Sequence, residues 1–100
     1  MIIVLAHCGN GYSGCNSEDA FFFEDGVLDK EIDEEVHFWA CDIAEAYSYV
    51  HFGWGEKYSD EDWEDYIENH VTFDWYVATY EEYLNWCEYW GYEPIISMED

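Results

Sequence analysis

Positive charge is almost absent from this chain. It has no arginine and only two lysines, Lys30 and Lys57, against 25 aspartates and glutamates, so its formal net charge is -23 at neutral pH. A small soluble domain usually carries a net charge of about 2 to 8 in magnitude. A surface this negative repels phosphates and anionic lipids, which argues against direct nucleic-acid binding and against a membrane surface. It favours instead a partner with a basic surface, such as a protein that normally holds nucleic acid.

Long apolar runs are absent as well. The run Met1–Ala6 has no basic flank and is too short for a secretory signal or a membrane-spanning segment. The sequence therefore predicts a cytoplasmic protein. Disulfides are rare in a reducing compartment, so we expect free thiols at all four cysteines, namely Cys8, Cys15, Cys41 and Cys87.

Aromatic residues, in contrast, are abundant. Half of the chain is hydrophobic and 22% is aromatic, with six tryptophans, ten tyrosines and six phenylalanines. Acidic chains of low hydrophobicity stay disordered because they cannot bury enough apolar surface. Here each buried aromatic side chain removes about 150–250 Å² from water. We therefore predict one folded domain over residues 1–100 with a strongly charged exterior.

The hydrophobic pattern predicts a small α+β domain. Short apolar or aromatic runs bounded by turn residues indicate strands, and apolar residues that recur every three or four positions indicate helices. The strands predicted in this way cover residues 2–6, 20–24 and 72–77, and the helices cover 30–50, 59–70 and 79–90. The order β-β-α-α-β-α is typical of a short sheet packed by about three helices. The tail 93–100 is a candidate for a further edge strand.

Capping residues support these helix boundaries. Asp29 and Ser59 are suitable N-caps for the first two helices. Thr79 followed by Glu82 is a capping-box pattern at the start of the third helix. Gly91 is suited to the left-handed conformation that ends that helix.

The second predicted helix has a carboxylate-lined face. At about 100° per residue, Trp63, Tyr66 and Ile67 point to one side and the acidic residues point to the other. Four carboxylates share the acidic arc and two flank it: Glu61, Glu64, Asp65 and Glu68, with Asp60 and Asp62 at the sides. They place one charge per roughly 2.5 Å of helix axis, close to the one per about 3.4 Å of a DNA strand. An ordinary solvated face, the alternative interpretation, mixes both signs of charge.

The first predicted helix repeats this arrangement. Opposite its apolar stripe lies a second set of acids, Glu31, Glu34, Glu35, Asp42 and Glu45. Phe38 and Tyr49 project from the same arc. Exposed aromatics are typical anchors of protein interfaces, and the alternative is that the sheet or another helix covers Phe38. Further aromatics on the third helix, Trp86, Tyr89 and Trp90, have two candidate uses, a homodimer interface or a partner surface.

Metal binding is an alternative that the residue types allow. His7, Cys8, Cys15, His37 and Cys41 are of zinc-ligand type, and His37 and Cys41 lie one helical turn apart. However, the chain has no Cys-x-x-Cys pair, and the spacing from Cys8 to Cys15 is unusual for a zinc knuckle. The sequence therefore predicts no metal and no cofactor, with a small Cys/His zinc module as the alternative.

Catalysis has little support in the sequence. The glycine-rich segment 9–14 lacks the lysine and the glycine spacing of a phosphate-binding loop. His7 beside Cys8 or Cys15 could be drawn as a base and a nucleophile, but abundant carboxylates raise a thiol pKa rather than lower it. We expect a protein without catalytic residues.

Together these features resemble the small acidic proteins with which bacteriophages inhibit host defence, the DNA-mimic anti-CRISPR and anti-restriction proteins. The resemblance covers properties of the whole chain and is carried by the runs Asp33-Glu34-Glu35, Asp60-Glu61-Asp62 and Glu64-Asp65. It implies a stoichiometric inhibitor in the host bacterial cytoplasm that occupies the basic groove of a nucleic-acid-binding protein. The expected target is a CRISPR effector nuclease, with restriction enzymes, glycosylases and nucleoid proteins as alternatives. A small acidic protein-interaction module of another kind is the remaining alternative.

Overall fold

A three-stranded antiparallel sheet forms the centre of the molecule. The computed structural model describes residues 1–95. The strands are β1 (Ile2–Gly9), β2 (Ser17–Phe23) and β3 (Thr72–Ala78), in the order β2-β1-β3. In this register Val4 of β1 lies opposite Phe21 of β2 and Val77 of β3. β1 is therefore the central strand, and β2 and β3 are the two edges.

Helices complete the fold. Within residues 1–95 they are α1 (Asp29–Ala46), α2 (Ser48–Phe52), α3 (Asp60–Asn69) and α4 (Tyr80–Trp90). The predicted α+β class is confirmed, and the element order β-β-α-α-α-β-α differs from the predicted one only by the short helix α2. None of the helices described in this range has both the length and the apolar composition that crossing a membrane requires.

Side chains of β1 build a core on each face of the sheet. Ile3 and Leu5 point to the face covered by α4, whereas Val4 and Ala6 point to the face covered by α1. All four are almost completely buried. Consecutive apolar residues are what a strand covered on both faces requires. The strand predicted over residues 2–6 is confirmed, and β1 continues beyond it to Gly9. It follows that α1 and α4 lie on opposite faces of the sheet.

The predicted N-cap of the first helix is wrong by one residue. Leu28, not Asp29, holds the N-cap position, with φ -82° and ψ 147°. The carboxylate of Glu31 accepts the Leu28 N–H at 3.2 Å. Because Glu31 supplies the reciprocal half of a capping box, an apolar residue is tolerated at the cap.

The first helix is also shorter than predicted. The apolar stripe continues to residue 50, but α1 ends at Ala46 and Tyr47 leaves helical geometry with φ -101° and ψ 9°. The Ser48 hydroxyl donates to the Glu45 carbonyl oxygen at 2.8 Å, and it thus competes with backbone amides for that acceptor. α2 follows and ends at Phe52. Gly53 caps it with a φ of 96°, which suits glycine.

The second strand begins earlier than predicted. β2 starts at Ser17 rather than Ala20, since its pairing with β1 extends to Ser17 opposite Cys8. Glu18 and Asp19 have low strand propensity, and cross-strand hydrogen bonds outweigh it. Residues 93–95 form no strand, and the rest of the predicted edge strand lies outside the described residues.

The remaining caps are confirmed. Ser59 Oγ accepts the Asp62 N–H at 3.1 Å, and Thr79 Oγ1 accepts the Glu82 N–H at 3.1 Å. In both cases the acidic side chain accepts the N–H of the cap residue in return. Gly91 ends α4 in the left-handed conformation with φ 76°.

Candidate interaction surface on the acidic helices

The outer side of α1 is the first part of the candidate site. The buried residues Ile32, Val36, Ala40 and Ala44 mark its inner side. At about 100° per residue, the predicted carboxylates fall on an arc of about 100° on the other side. All of them are exposed: Glu31, Glu34, Glu35, Asp42 and Glu45. From Glu31 to Glu45 this acidic arc follows about 21 Å of the axis of α1.

Phe38 lies within the same arc and is 64% exposed. Its ring is 6.2 Å from that of its neighbour His37, and no element within residues 1–95 covers it. The alternative that the sheet or another helix buries Phe38 is therefore wrong. An exposed ring among carboxylates is well suited to contact a partner.

Tyr49 is placed differently from its predicted position. It lies on α2 rather than on α1, and its ring stacks on Trp54 with the centroids 4.3 Å apart. Trp54 is 82% exposed and lies in the loop between α2 and α3. This stacked pair is an aromatic feature that the sequence did not predict.

The outer side of α3 is the second part of the candidate site. Tyr66 is buried and Trp63 and Ile67 are half-buried, as predicted. The six carboxylates of this helix are all exposed: Asp60, Glu61, Asp62, Glu64, Asp65 and Glu68. The structure thus places every predicted partner-binding residue on the surface, in two helical arcs.

Tyr66 anchors α3 to the rest of the molecule. Its hydroxyl donates to the Ala44 carbonyl oxygen of α1 at 2.9 Å and accepts Asn10 Nδ2 at 3.0 Å. Asn10 is itself completely buried, and its Oδ1 accepts the Tyr12 N–H at 3.1 Å. Burial raises the pKa of Tyr66, which keeps its hydroxyl protonated as a donor. The bond to Ala44 places α3 beside the C-terminal end of α1.

Two histidines pack around this anchor. The His51 ring stacks on Tyr66 at 4.7 Å and lies 4.6 Å from the His70 ring. The Tyr12 hydroxyl lies 2.7 Å from His51 Nδ1. The glycine-rich segment therefore brings Asn10 and Tyr12 under α3 to hold it. Nothing in the sequence indicated which helix this segment contacts.

The acidic arcs are not neutralised by the lysines. Within residues 1–95 no ion pair joins any of these carboxylates to Lys30 or Lys57. Two of the acids act in capping boxes, Glu31 and Asp62, and Asp65 accepts Asn69 Nδ2 at 2.6 Å. The others make no hydrogen bond in this part of the chain. Their charges therefore face solvent and are available to a cationic partner.

The positions of the cysteines and histidines give little support to the alternative of a zinc site. Within the described range, no three His, Cys, Asp or Glu side chains are grouped so that they could hold a metal ion. His37 Nε2 lies 3.7 Å from Cys41 Sγ as an isolated pair. The four cysteines are free thiols, as predicted.

The structure also does not bring His7 and Cys8 together as a catalytic base and nucleophile. His7 and Cys8 are consecutive on β1, so their side chains point to opposite faces of the sheet. Cys8 is buried, and burial raises the pKa of its thiol to about 11. Cys15 is buried as well. These thiols therefore lack the exposed, electropositive setting that a reactive cysteine needs.

No protein-family model, curated protein or solved structure matches this chain.

Proposed function

We propose that this protein is a non-enzymatic DNA mimic that blocks the basic nucleic-acid-binding groove of a host defence nuclease. The preferred target is a CRISPR effector. The observation that carries the proposal is the pair of acidic arcs on α1 and α3. All of their carboxylates are exposed, and none is paired with a lysine in the described chain. On the side opposite each arc, α1 buries four residues and α3 buries Tyr66.

The mechanism is electrostatic competition. A groove lined by Lys and Arg holds the phosphates of nucleic acid, and carboxylates at a similar spacing can occupy the same positions. Because the helices are already formed, little conformational entropy is lost when the groove binds them. The net charge of -23 attracts a basic partner over long range and speeds association, an effect that salt weakens.

Exposed aromatics add selectivity to this attraction. Phe38 lies among the α1 carboxylates, and Trp54 projects from the loop that precedes α3. Aromatic contacts depend on a fitting apolar surface, and salt screens them far less than charges. They allow the protein to distinguish one basic groove from another.

The experiment uses a purified CRISPR effector nuclease loaded with guide RNA. The protein is titrated in before or after the target DNA, and DNA binding is measured by mobility shift. A mimic should inhibit at a near-stoichiometric ratio when it is added first, and bound DNA should protect the nuclease. The same titrations are repeated with a restriction enzyme and with a DNA glycosylase, so that the class of target protein is identified.

The variant that tests the α3 arc carries Glu61→Lys, Glu64→Lys and Glu68→Lys. These three side chains make no hydrogen bond within residues 1–95, so the fold should persist. We expect inhibition to weaken by roughly 100-fold or more, since each reversal turns an attraction into a repulsion.

The matched control carries Glu24→Lys, Glu81→Lys and Glu88→Lys, which are exposed outside α1 and α3. Each substitution shifts the charge by +2, so the two triple variants have equal net charge. Circular dichroism checks that both are folded. Equal inhibition by the two variants would show that total charge matters and that the α3 arc does not.

A further inference from the structure

A groove of about 410 Å³ lies beside β2. Its walls include Trp39 and Ile43 of α1 and Tyr83 and Trp86 of α4. Since α1 and α4 cover opposite faces of the sheet, a groove that both helices line has to pass the outer edge of β2. Its volume is within the range of about 300–1,000 Å³ that is typical of ligand sites.

Within residues 1–95, no strand pairs with the outer edge of β2 along this groove. β2 pairs only with β1 among the strands of residues 1–95. The Ala20 N–H donates to the side chain of its own neighbour, Asp19 Oδ1, at 2.8 Å. Beyond the ladder with β1, the β2 backbone makes this hydrogen bond and one between Ser17 and the Cys8 thiol in the described chain. An edge with unpaired amides and carbonyls is a template for the addition of another strand.

The walls of the groove are aromatic on both sides. Phe21 of β2 meets Trp39 edge-to-face at 5.5 Å on the α1 side, and Phe22 meets Tyr83 in the same way at 5.4 Å on the α4 side. The Trp86 indole N–H is buried without an acceptor among residues 1–95. An extended peptide between these walls would direct alternate side chains to each of them.

The rim of the groove is acidic. Glu18, Asp19 and Glu93 line it, and neither lysine of the chain does. A second copy of this chain would bring the same acids against them, so charge repulsion opposes edge-to-edge pairing of two copies. We propose that this groove binds an extended segment of a partner protein as a fourth strand beside β2, with Lys or Arg at the ends of the segment and apolar side chains between them.

The test uses synthetic peptides and the full-length protein. The probe is the capped hexapeptide Lys-Ile-Thr-Val-Thr-Lys, titrated while amide signals of β2 are followed by nuclear magnetic resonance. We expect saturable binding, with shifts and slower hydrogen exchange at the outward amides of β2. One matched peptide has Glu in place of both lysines, and another has N-methyl groups on alternate backbone amides. Both should bind at least ten-fold more weakly.

Protein variants locate the site. Asp19→Lys with Glu93→Lys should weaken binding of the basic peptide at least ten-fold, whereas the equally charged control Glu24→Lys with Glu88→Lys should bind it normally. Both pairs leave α1 and α3 unchanged, so nuclease inhibition tests the proposed function independently. The proposal is overturned if the basic peptide does not bind, if the N-methylated peptide binds equally well, or if the β2 edge pairs with a second copy instead.

Discussion

Tyr66 of α3 contacts three other parts of the chain, two through its hydroxyl group and one through its ring. It binds Ala44 of α1 and Asn10 of the glycine-rich loop, and its ring packs on His51 of α2. Repulsion among the carboxylates of α1 and α3 opposes their close approach. The two hydrogen bonds of the Tyr66 hydroxyl stabilise the contact between α1 and α3 and so offset part of this repulsion. Without them, the Ala44 carbonyl and Asn10 Nδ2 would be buried with an unsatisfied hydrogen-bonding group.

We expect Tyr66→Phe to lower the free energy of unfolding by about 2–4 kcal/mol, because it leaves two buried groups, the Ala44 carbonyl and Asn10 Nδ2, without this partner. Urea unfolding followed by fluorescence measures the change. The control is Tyr89→Phe, which removes the hydroxyl of a side chain that is 80% exposed and should change stability by less than about 0.5 kcal/mol. A similar effect of the two variants would contradict the role assigned to Tyr66.

Glu18 links stability to pH. Burial raises the pKa of its carboxyl above the ordinary 4.5, Asp74 raises it further, and His7 at 3.7 Å partly opposes the shift. The folded state therefore holds this proton more tightly than the unfolded state, so stability falls as pH rises from 4.5 through the folded pKa. Glu18→Gln should remove this fall, and the variant should gain stability relative to the parent over that window.

Urea midpoints at several pH values between 4 and 7 measure this difference. Glu24→Gln removes one exposed carboxylate and reports the general effect of lower negative charge. If both variants change with pH in parallel, Glu18 has no special role.

Local hydrogen bonds set the residues at which the individual helices begin and end. The caps at Ser59, Thr79 and Gly91 were predictable because each is a short-range arrangement of neighbouring residues. The end of α1 was not, since the apolar stripe continues past Tyr47 and the competing bond from Ser48 to Glu45 depends on a side-chain rotamer. For the same reason, the pattern around residue 50 predicted one helix where the chain forms two.

At the start of α3, Ser59→Ala should cost about 1 kcal/mol, because the Asp62 N–H loses its acceptor. Thermal unfolding measures the loss, and Ser13→Ala, in an exposed loop position, is the control. If the α3 arc binds the nuclease, the folded Ser59→Ala variant should still inhibit at low temperature. Loss of inhibition without loss of helix would instead assign Ser59 to the contact surface.

The whole molecule is elongated. Its principal extents are 51, 29 and 16 Å, and its radius of gyration is 15.7 Å, against about 13 Å for a compact domain of this length. An extended shape increases the mean distance between like charges. It therefore reduces the self-repulsion that a net charge of -23 imposes.

Salt should thus act in opposite directions on folding and on inhibition. Raising NaCl from 0.01 M to 1 M shortens the screening length from about 30 Å to about 3 Å. We expect the urea midpoint to rise as repulsion is screened, while inhibition of the nuclease weakens. Inhibition that is unaffected by salt would refute an electrostatic mechanism, and a constant midpoint would refute the repulsion.

The sequence by itself determined the α+β class, the burial of the first strand and the exposure of both acidic arcs, because periodicity and charge act over neighbouring residues. Only the tertiary structure decided that Asn10 meets Tyr66, that Phe38 stays uncovered, and that β2 is an edge strand beside a groove. These features depend on strand order and on contacts between distant segments. A local pattern does not specify such contacts, since the same strand can lie at the edge or in the centre of a sheet until the chain has packed.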